Sequence, residues 1–305
     1  MLTEELLSFL GRIYDESDLN RLHEDYGGDK IFSYPLIGVA AGNDPIFQTF
    51  KEVVGKGHLT PFEMWNINSL KSIKASYLRV VSIIFPYGNK IRDESHNIIK
   101  LKHVTLPAEV YSIGRNYAND FKKQVLRKSV DFIHSRGFEI VAPMITDSFT
   151  VLTNQELHSN WSERHIAFAA GLGTFSHHDG LITEVGCNIR LASFITNAPF
   201  TITTRIHEDP YGNCLYRAKG ICRECERRCP ANAITENGHD KNLCYYYGRK
   251  IARKMLIRIG DILKPHVRRV DGKLRDPSYP VGCAFCQFGV PCMDKNPMRG
   301  ESRDL

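Results

Sequence analysis

Eight of the nine cysteines in this 305-residue chain lie between residues 214 and 292, and three of them are closely spaced. The segment Cys222-x-x-Cys225-x-x-x-Cys229 is followed directly by Pro230. This spacing is typical of loops that aim several thiolates at one iron–sulfur cluster, while the cysteine before the proline binds a neighbouring cluster. Eight thiolates make two four-cysteine sites. The pattern therefore predicts two 4Fe–4S clusters and a role in electron transfer.

The cysteine-rich segment resembles bacterial ferredoxins, and this resemblance implies which cysteines share a cluster. In such proteins, three cysteines of one motif share a cluster with a distant cysteine of the other motif. Two features depart from the pattern, because Lys219 stands at the usual first cysteine and the last cysteine follows Pro291 instead of preceding a proline. The implied sets are Cys214, Cys222, Cys225 and Cys292 for the first cluster and Cys229, Cys244, Cys283 and Cys286 for the second.

Structural zinc is the alternative interpretation of these cysteines, since Cys-x-x-Cys pairs also suit zinc. Zinc sites require neither three cysteines so close together nor the Ala231–Ile234 continuation after Cys229-Pro230, so the spacing favours iron and sulfur. Cys187 belongs to neither set. It lies in an apolar stretch and is interpreted as a small buried hydrophobic residue.

The overall composition is that of an ordinary soluble protein, at 42% hydrophobic and 24% charged residues. The longest apolar run, Val80–Pro86, is much shorter than the roughly 20 residues that span a bilayer, so no membrane partner is expected. The segment Met1–Leu7 lacks the basic region of an export signal. Many cysteines without such a signal predict a cytoplasmic protein whose reduced thiols bind metal. The formal charge of +6 permits a nucleic-acid partner without demanding one.

The hydrophobic patterns predict an α+β fold in two domains, with residues 1–205 as the first and residues 206–305 as the second. Pro210 and Gly212 mark the boundary region. Buried strands are predicted at 35–42, 78–85 and 137–143, and two more within 181–197. Helices are predicted at 2–25, 45–54, 116–135 and 161–170.

Two segments of the first domain, 111–117 and 162–173, resemble epoxyqueuosine reductase, and the order of the cysteines continues the match. The wider group includes reductive dehalogenases, and the resemblance covers residues 75–295. It implies a nitroreductase-like α/β domain that binds a corrinoid such as cobalamin, followed by a ferredoxin-like domain that supplies electrons.

The resemblance also implies which residues contact the corrinoid. Gly171 and Gly173 would let the backbone approach a flat macrocycle, although a glycine that ends a helix explains one of them. His177 and His178 are either corrinoid contacts or part of an exposed loop. No Asp-x-His-x-x-Gly motif for histidine-ligated cobalamin is present. The implied cofactor-binding residues are Arg115, Asn116, Glu163, Arg164, Gly171, Gly173, Ser176, His177, Leu181, Ile182 and Arg190.

The chain departs from the reductase where the chemistry is decided. The position of the family's catalytic aspartate falls on Leu157, between Glu156 and His158. Either neighbour is a candidate proton donor or a surface residue. The family's Arg-Asp-Tyr-His is also altered, with Asn116 before Tyr117 and alanine after it. These departures weigh against a tRNA substrate. The candidate catalytic residues are Glu156, His158 and Tyr117, and Tyr111 is a further donor to test.

A basic segment between residues 249 and 275 follows Tyr245–Tyr247 and has three interpretations. It binds phosphate and stacks on bases, or it docks an acidic electron donor such as a flavodoxin or ferredoxin, or it is the solvated face of a helix. The last interpretation places four apolar residues inward: Ile251, Met255, Leu256 and Ile259.

Two functions remain open from the sequence beside epoxyqueuosine reduction itself, which activity on an epoxyqueuosine-containing anticodon stem-loop would establish. In the first, two clusters pass electrons to a buried corrinoid, which reduces a small organic substrate. In the second, the protein is an electron-transfer or corrinoid-reactivating protein without a substrate of its own. A corrinoid-sized cleft facing one cluster would favour the enzyme, whereas a filled cleft would favour the relay.

Overall fold

The computed structural model describes residues 2–153, 157–206 and 208–299. The helices are α1 Leu2–Glu16, α2 Ile46–Val53, α3 Pro61–Asn68, α4 Asn89–Glu94, α5 Glu109–His134, α6 Glu163–Ala169, α7 Leu215–Lys219, α8 Glu224–Arg227 and α9 Lys241–Ile259. The strands are β1 Leu36–Ala41, β2 Arg79–Pro86, β3 Ile99–Leu101, β4 Val104–Leu106, β5 Ile140–Val141, β6 Val151–Leu152, β7 His158–Ser159, β8 Gly173–Phe175, β9 Leu181–Thr183, β10 Ile189–Thr196, β11 Ile234–Thr235, β12 Gly238–His239, β13 Arg269–Val270 and β14 Lys273–Leu274.

A four-stranded antiparallel sheet, in the order β1-β2-β10-β5, forms the centre of the segment from α1 to β10, called here the α/β region. Its middle strand β2 is buried on both faces, which explains its uninterrupted apolar sequence. Successive side chains of a strand point to opposite faces, so Val81 and Phe85 pack with one core and Val80 and Ile84 with the other. The predicted mixture of helix and sheet is confirmed.

Helices cover both faces of this sheet. Tyr14 of α1 and Phe121 of α5 meet on one face, with ring centroids 4.9 Å apart. On the other face, Phe50, Trp65 and Ile166 from α2, α3 and α6 form the second core. Each face therefore buries large apolar side chains, which supply most of the folding free energy.

Helix α5 begins earlier than the periodicity predicts, at Glu109 instead of Asn116. The segment 111–117 is therefore helical and does not precede the helix. The helix continues through Gly114. A glycine is suited to this position because α4 packs closely against it, and a Cβ there would lie 2.4 Å from Ile91 Cδ1. The early start matters for function because it places Tyr111 and Arg115 one turn apart on the same helix.

The basic segment contributes helix α9 and then an extended strap, residues 262–280. Ile251, Met255 and Ile259 are buried as predicted, whereas Leu256 is 44% exposed, so its inward placement was wrong. The strap leaves the cysteine-rich region and packs against the α/β region, where β13 pairs with β6 in a sheet of order β14-β13-β6-β7. The predicted division at residue 205 stays a prediction, and the strap's contacts cross it.

None of the helices in the described ranges 2–153, 157–206 and 208–299 is long and apolar enough to cross a membrane.

Candidate metal centres

The first implied set of cysteines lines a single cavity, called here the first cavity. Cys214 stands at the start of α7, Cys225 lies in α8, and Cys222 and Cys292 complete the wall. Burial raises the pKa of Cys225 to about 12, and the neighbouring thiols of Cys292, Cys214 and Cys222 contribute to the rise in that order. Ionised thiolates repel one another, and burial disfavours their charge. Four neighbouring thiols can therefore all ionise here only if a bound cation balances the negative charge.

The second implied set lines another cavity, the second cavity, of about 330 Å³. Cys229 and Cys244 come from the segments around α8 and α9, and Cys283 and Cys286 come from the loop after the strap. Burial, then the proximity of Cys244 and Cys229, raises the pKa of Cys283 to about 12. Burial raises the pKa of Cys286, and cysteines of its own set together with Cys225 of the first set raise it further. The two cavities are therefore neighbours.

Three arginines from the α/β region also line the second cavity. Arg115 comes from α5, Arg164 from α6 and Arg190 from β10, and no carboxylate of the described residues lines it with them. Arg190 Nη2 donates to Tyr111 Oη at 2.7 Å. Burial, then the charge of Arg190, lowers the pKa of Arg115. Guanidinium groups that are largely withdrawn from water need an anion. The Asp179 carboxyl lies near Arg164, and the cysteine side chains are the groups lining the cavity that can supply further negative charge.

Other predicted cofactor-binding residues border the first cavity. Ser176, His177 and Ile182 line it, and Leu181 is buried beside Ile182 in β9. His177 is held by a 2.8 Å hydrogen bond between Nε2 and the carbonyl of Thr235. These residues therefore gather around cysteines of the first set.

The packing of the fold itself accounts for Gly171 and Gly173. Gly171 has φ +75° at the end of α6, a left-handed conformation that favours glycine. A Cβ on Gly173 would lie 2.3 Å from the carbonyl oxygen of Ile182 on the paired strand β9. Both glycines line a cavity that contains none of the eight cysteines. Their contact with a corrinoid stays a prediction.

Glu163 and Lys122 interact through their charges, without a direct ion-pair contact. Burial raises the pKa of Glu163 to about 7 and lowers that of Lys122 to about 8, while their mutual attraction opposes both shifts. Glu163 is not among the residues that line the second cavity, whereas Arg164 reaches the cavity wall and donates to the carbonyl of Asp179.

Asn116 and Tyr117 bind the strap and do not reach either cysteine cavity. Asn116 exchanges two hydrogen bonds with the backbone of Lys264, with Nδ2 donating at 2.9 Å and Oδ1 accepting at 2.8 Å. Tyr117 Oη donates to the carbonyl of Ile262 at 2.8 Å. The asparagine that replaces the family's aspartate thus pairs with backbone as another strand would.

Replacing Asn116 with alanine is expected to loosen the strap. The change leaves a partly buried N–H and C=O of Lys264 without these partners, which costs about 1 kcal/mol, at the low end for an unsatisfied pair. Hydrogen exchange of residues 262–280 should accelerate, and the free energy of unfolding should fall by a similar amount. The exposed Asn97 provides a matched control, since Asn97→Ala should change neither quantity. Unchanged exchange in the strap would show that these bonds do not hold it.

The two remaining candidate donors are not assembled with the cysteines. His158 packs on Gly55, where a Cβ would lie 2.7 Å from His158 Nε2, and it borders neither cysteine cavity. Glu156 lies outside the described residues. Of the four proton donors considered, Tyr111 is the one that lines the second cavity.

The sequence interpretation missed a buried trio. A ring nitrogen of His178 and the Sγ atoms of Cys187 and Cys292 all lie within 4.8 Å of one another. Cys187 is buried as predicted, at 1% exposure, and its Sγ lies 3.7 Å from Sγ of Cys292, one of the implied cluster ligands. Neither Cys187 nor His178 belongs to a cysteine motif of the sequence. The sequence therefore indicated this trio only through one cysteine and one histidine without an assigned role.

The second cavity does not have room for a corrinoid. Its volume lies near the lower end of cavities for drug-sized ligands, and the four cysteines already border the same space. The opposite wall is closed by Gly282, where a Cβ would lie 2.5 Å from both Arg115 Cδ and Tyr111 Oη. A corrin ring therefore does not fit within the second cavity.

Comparisons with known proteins connect the fold to solved structures. No protein-family profile and no curated protein matches the chain. Epoxyqueuosine reductase from Bacillus subtilis, with its catalytic loop swung out of the active site, has a TM-score of 0.50 and 18% identity over 97% of this chain and 69% of its own. A selenomethionine-labelled epoxyqueuosine reductase gives 0.49 and 16% over the same shares. A reductive dehalogenase described as B12-dependent gives 0.42 and 15% over 86% and 43%. The predicted structural resemblance is confirmed, and at this identity it establishes the fold.

Proposed function

We propose that this protein is an iron–sulfur oxidoreductase that carries single electrons through two adjacent 4Fe–4S clusters. The observation that carries the proposal is the arrangement of the cysteines. Cysteines far apart in the chain converge so that each implied set of four lines its own cavity, and the two cavities adjoin. Adjacent clusters allow an electron that enters at one to move to the other.

The distances between the cysteine sulfur atoms support cubanes over zinc. Thiolates that surround one zinc ion lie about 3.8 Å apart, given Zn–S distances near 2.3 Å. Within the described part of the chain, the one group of three donor atoms within 4.8 Å is the trio with His178, so neither set of four cysteines converges on a single point. A four-iron cubane holds its four thiolates farther apart than a single zinc ion does, because each thiolate binds a different iron.

Unpartnered polar atoms also suit clusters in both cavities. Ser176 Oγ borders the first and Arg190 Nε the second, and both are buried without a hydrogen-bond partner in the part of the chain described. Buried donors are normally satisfied. Cluster sulfur atoms accept hydrogen bonds, and a cubane with four thiolates is an anion that the three arginines stabilise.

The acceptor is proposed to be a small organic molecule. Arg164 lines the second cavity and also an aromatic cavity of about 550 Å³, whose walls include Phe50, Phe168, Phe175 and Tyr211. That volume is typical of small-molecule sites. A substrate there would lie one side chain from the second cluster, and this supports a reductase. The closed wall at Gly282 and the bound strap support the alternative, an electron relay that serves another protein.

The test is metal analysis of protein purified without oxygen and with cobalamin supplied. We expect about eight irons and eight sulfides per chain, as two cubanes require, and no stoichiometric cobalt. Eight irons with one cobalt would overturn the conclusion that a corrinoid does not fit. Two zinc ions without sulfide would overturn the redox function itself.

A further inference from the structure

His178 lies between the two cluster sites. Its loop joins β8 to β9, its side chain is 4% exposed, and it borders the first and the second cavity. A ring nitrogen is within 4.8 Å of Cys292 Sγ, an implied ligand of the first cluster. The sequence motifs assign this histidine no role in binding iron.

The hydrogen bonds of the loop fix which ring nitrogen carries the proton. The backbone N–H of Gly180 donates to His178 Nδ1 at 3.3 Å, so Nδ1 is an acceptor. A neutral imidazole then has its proton on Nε2. Gly180 permits this arrangement because a Cβ there would lie 2.4 Å from His178 Cε1.

The proton on Nε2 decides what His178 can do. Nε2 is buried and has no hydrogen-bond partner, sulfur atoms included, among the residues described. Ligation of a metal ion through Nε2 would move the proton to Nδ1, which already faces the Gly180 N–H, and this argues against a mononuclear metal site in the trio. It is a donor, and the acceptors that the trio offers are the sulfur atoms of Cys187 and Cys292.

Cys187 approaches the same sulfur from the other side. Its Sγ lies 3.7 Å from Cys292 Sγ, and its backbone N–H donates to the Cys292 carbonyl at 2.8 Å. Cys292 lines the first cavity and Cys187 does not. A second thiolate so close would add like charge, so Cys187 is a thiol whose S–H is a weak donor.

We propose that, when the first cluster is bound, His178 and Cys187 are positioning residues that donate hydrogen bonds to the Cys292 thiolate and raise the reduction potential of that cluster. The inference rests on the proposed function, because it requires that cluster. Hydrogen bonds to ligand sulfur stabilise the more negative, reduced state. Donors to charged acceptors are the strong ones, and His178 is the stronger of the two.

The experiment is a dithionite titration of the anaerobic full-length protein, followed by EPR. In His178→Phe, the reduced-to-oxidised ratio of the first cluster at a fixed potential should fall about tenfold, which is about 59 mV for a one-electron couple. His178→Gln retains an N–H donor and should recover part of the shift. Cys187→Ala should lower the potential by less.

The control is His58→Phe, which alters a buried histidine of the second core. His58 Nε2 accepts from the backbone of Ser162 at 3.0 Å, and His58 borders neither cysteine cavity. This variant should leave the potential unchanged even if it lowers stability. An unchanged potential in His178→Phe with full iron content would overturn the inference while leaving the two-cluster function intact. Wild-type protein without the first cluster would instead overturn the proposed function.

Discussion

Replacing Cys222 or Cys286 with alanine is expected to remove one cluster and leave the other, and to remove a different cluster in each case. The two thiols line separate cavities, each with three further cysteines of its own set. A cubane that loses one of four thiolate ligands is destabilised or lost. Iron should therefore fall from about eight to about four per chain in each variant. Iron and sulfide analysis with EPR of the reduced protein measures this, because different signals should disappear.

Cys187→Ala is the matched control for the two substitutions. Cys187 is buried and 3.7 Å from Cys292, yet it lies outside both cavity walls. The variant should retain about eight irons, as two cubanes require. A loss of half the iron in Cys187→Ala would assign Cys187 as a ligand, and a loss of all iron in folded Cys222→Ala would contradict two independent sites.

Much of the α/β region could be predicted because its patterns are local. The apolar run of β2 and the glycine turn after β1 each report burial or backbone geometry at one place in the chain. In both cases the sequence signal and the physical cause lie in the same few residues. The members of each cysteine set are far apart in the chain and were implied by the resemblance to ferredoxins, and each set lines one cavity in the structure.

The strap and the trio could not be predicted because their causes are distant in sequence. Asn116 pairs with Lys264 through two hydrogen bonds 148 positions apart, and no periodicity near either residue indicates it. Cys187 meets Cys292 through a contact 105 positions apart. The corrinoid contacts implied by the resemblance stay predictions. The glycine at 173, for example, is required by the close approach of its backbone to β9.

Arg115→Met is expected to lower the reduction potential of the second cluster by on the order of 100 mV. Arg115 is one of three partly buried cations that border the second cavity, and the described lining of that cavity includes no carboxylate. Two unit charges about 6 Å apart interact by about 3 kcal/mol at an effective dielectric constant near 20. Reduction adds one negative charge, so removing a cation penalises the reduced state more than the oxidised state. A one-electron couple converts each tenfold change in the equilibrium into about 59 mV.

Arg127 on the same helix separates this local charge effect from a change in net charge. Its side chain is exposed, and salt and water screen it from the cluster. Arg127→Met should leave the potential of the second cluster unchanged at moderate ionic strength, with iron content equal in both variants. Equal shifts in Arg115→Met and Arg127→Met would show that net charge sets the potential. A shift in Arg115→Met alone is expected if the arginines of the α/β region are part of the redox centre. That result would explain why a two-cluster protein retains the α/β region.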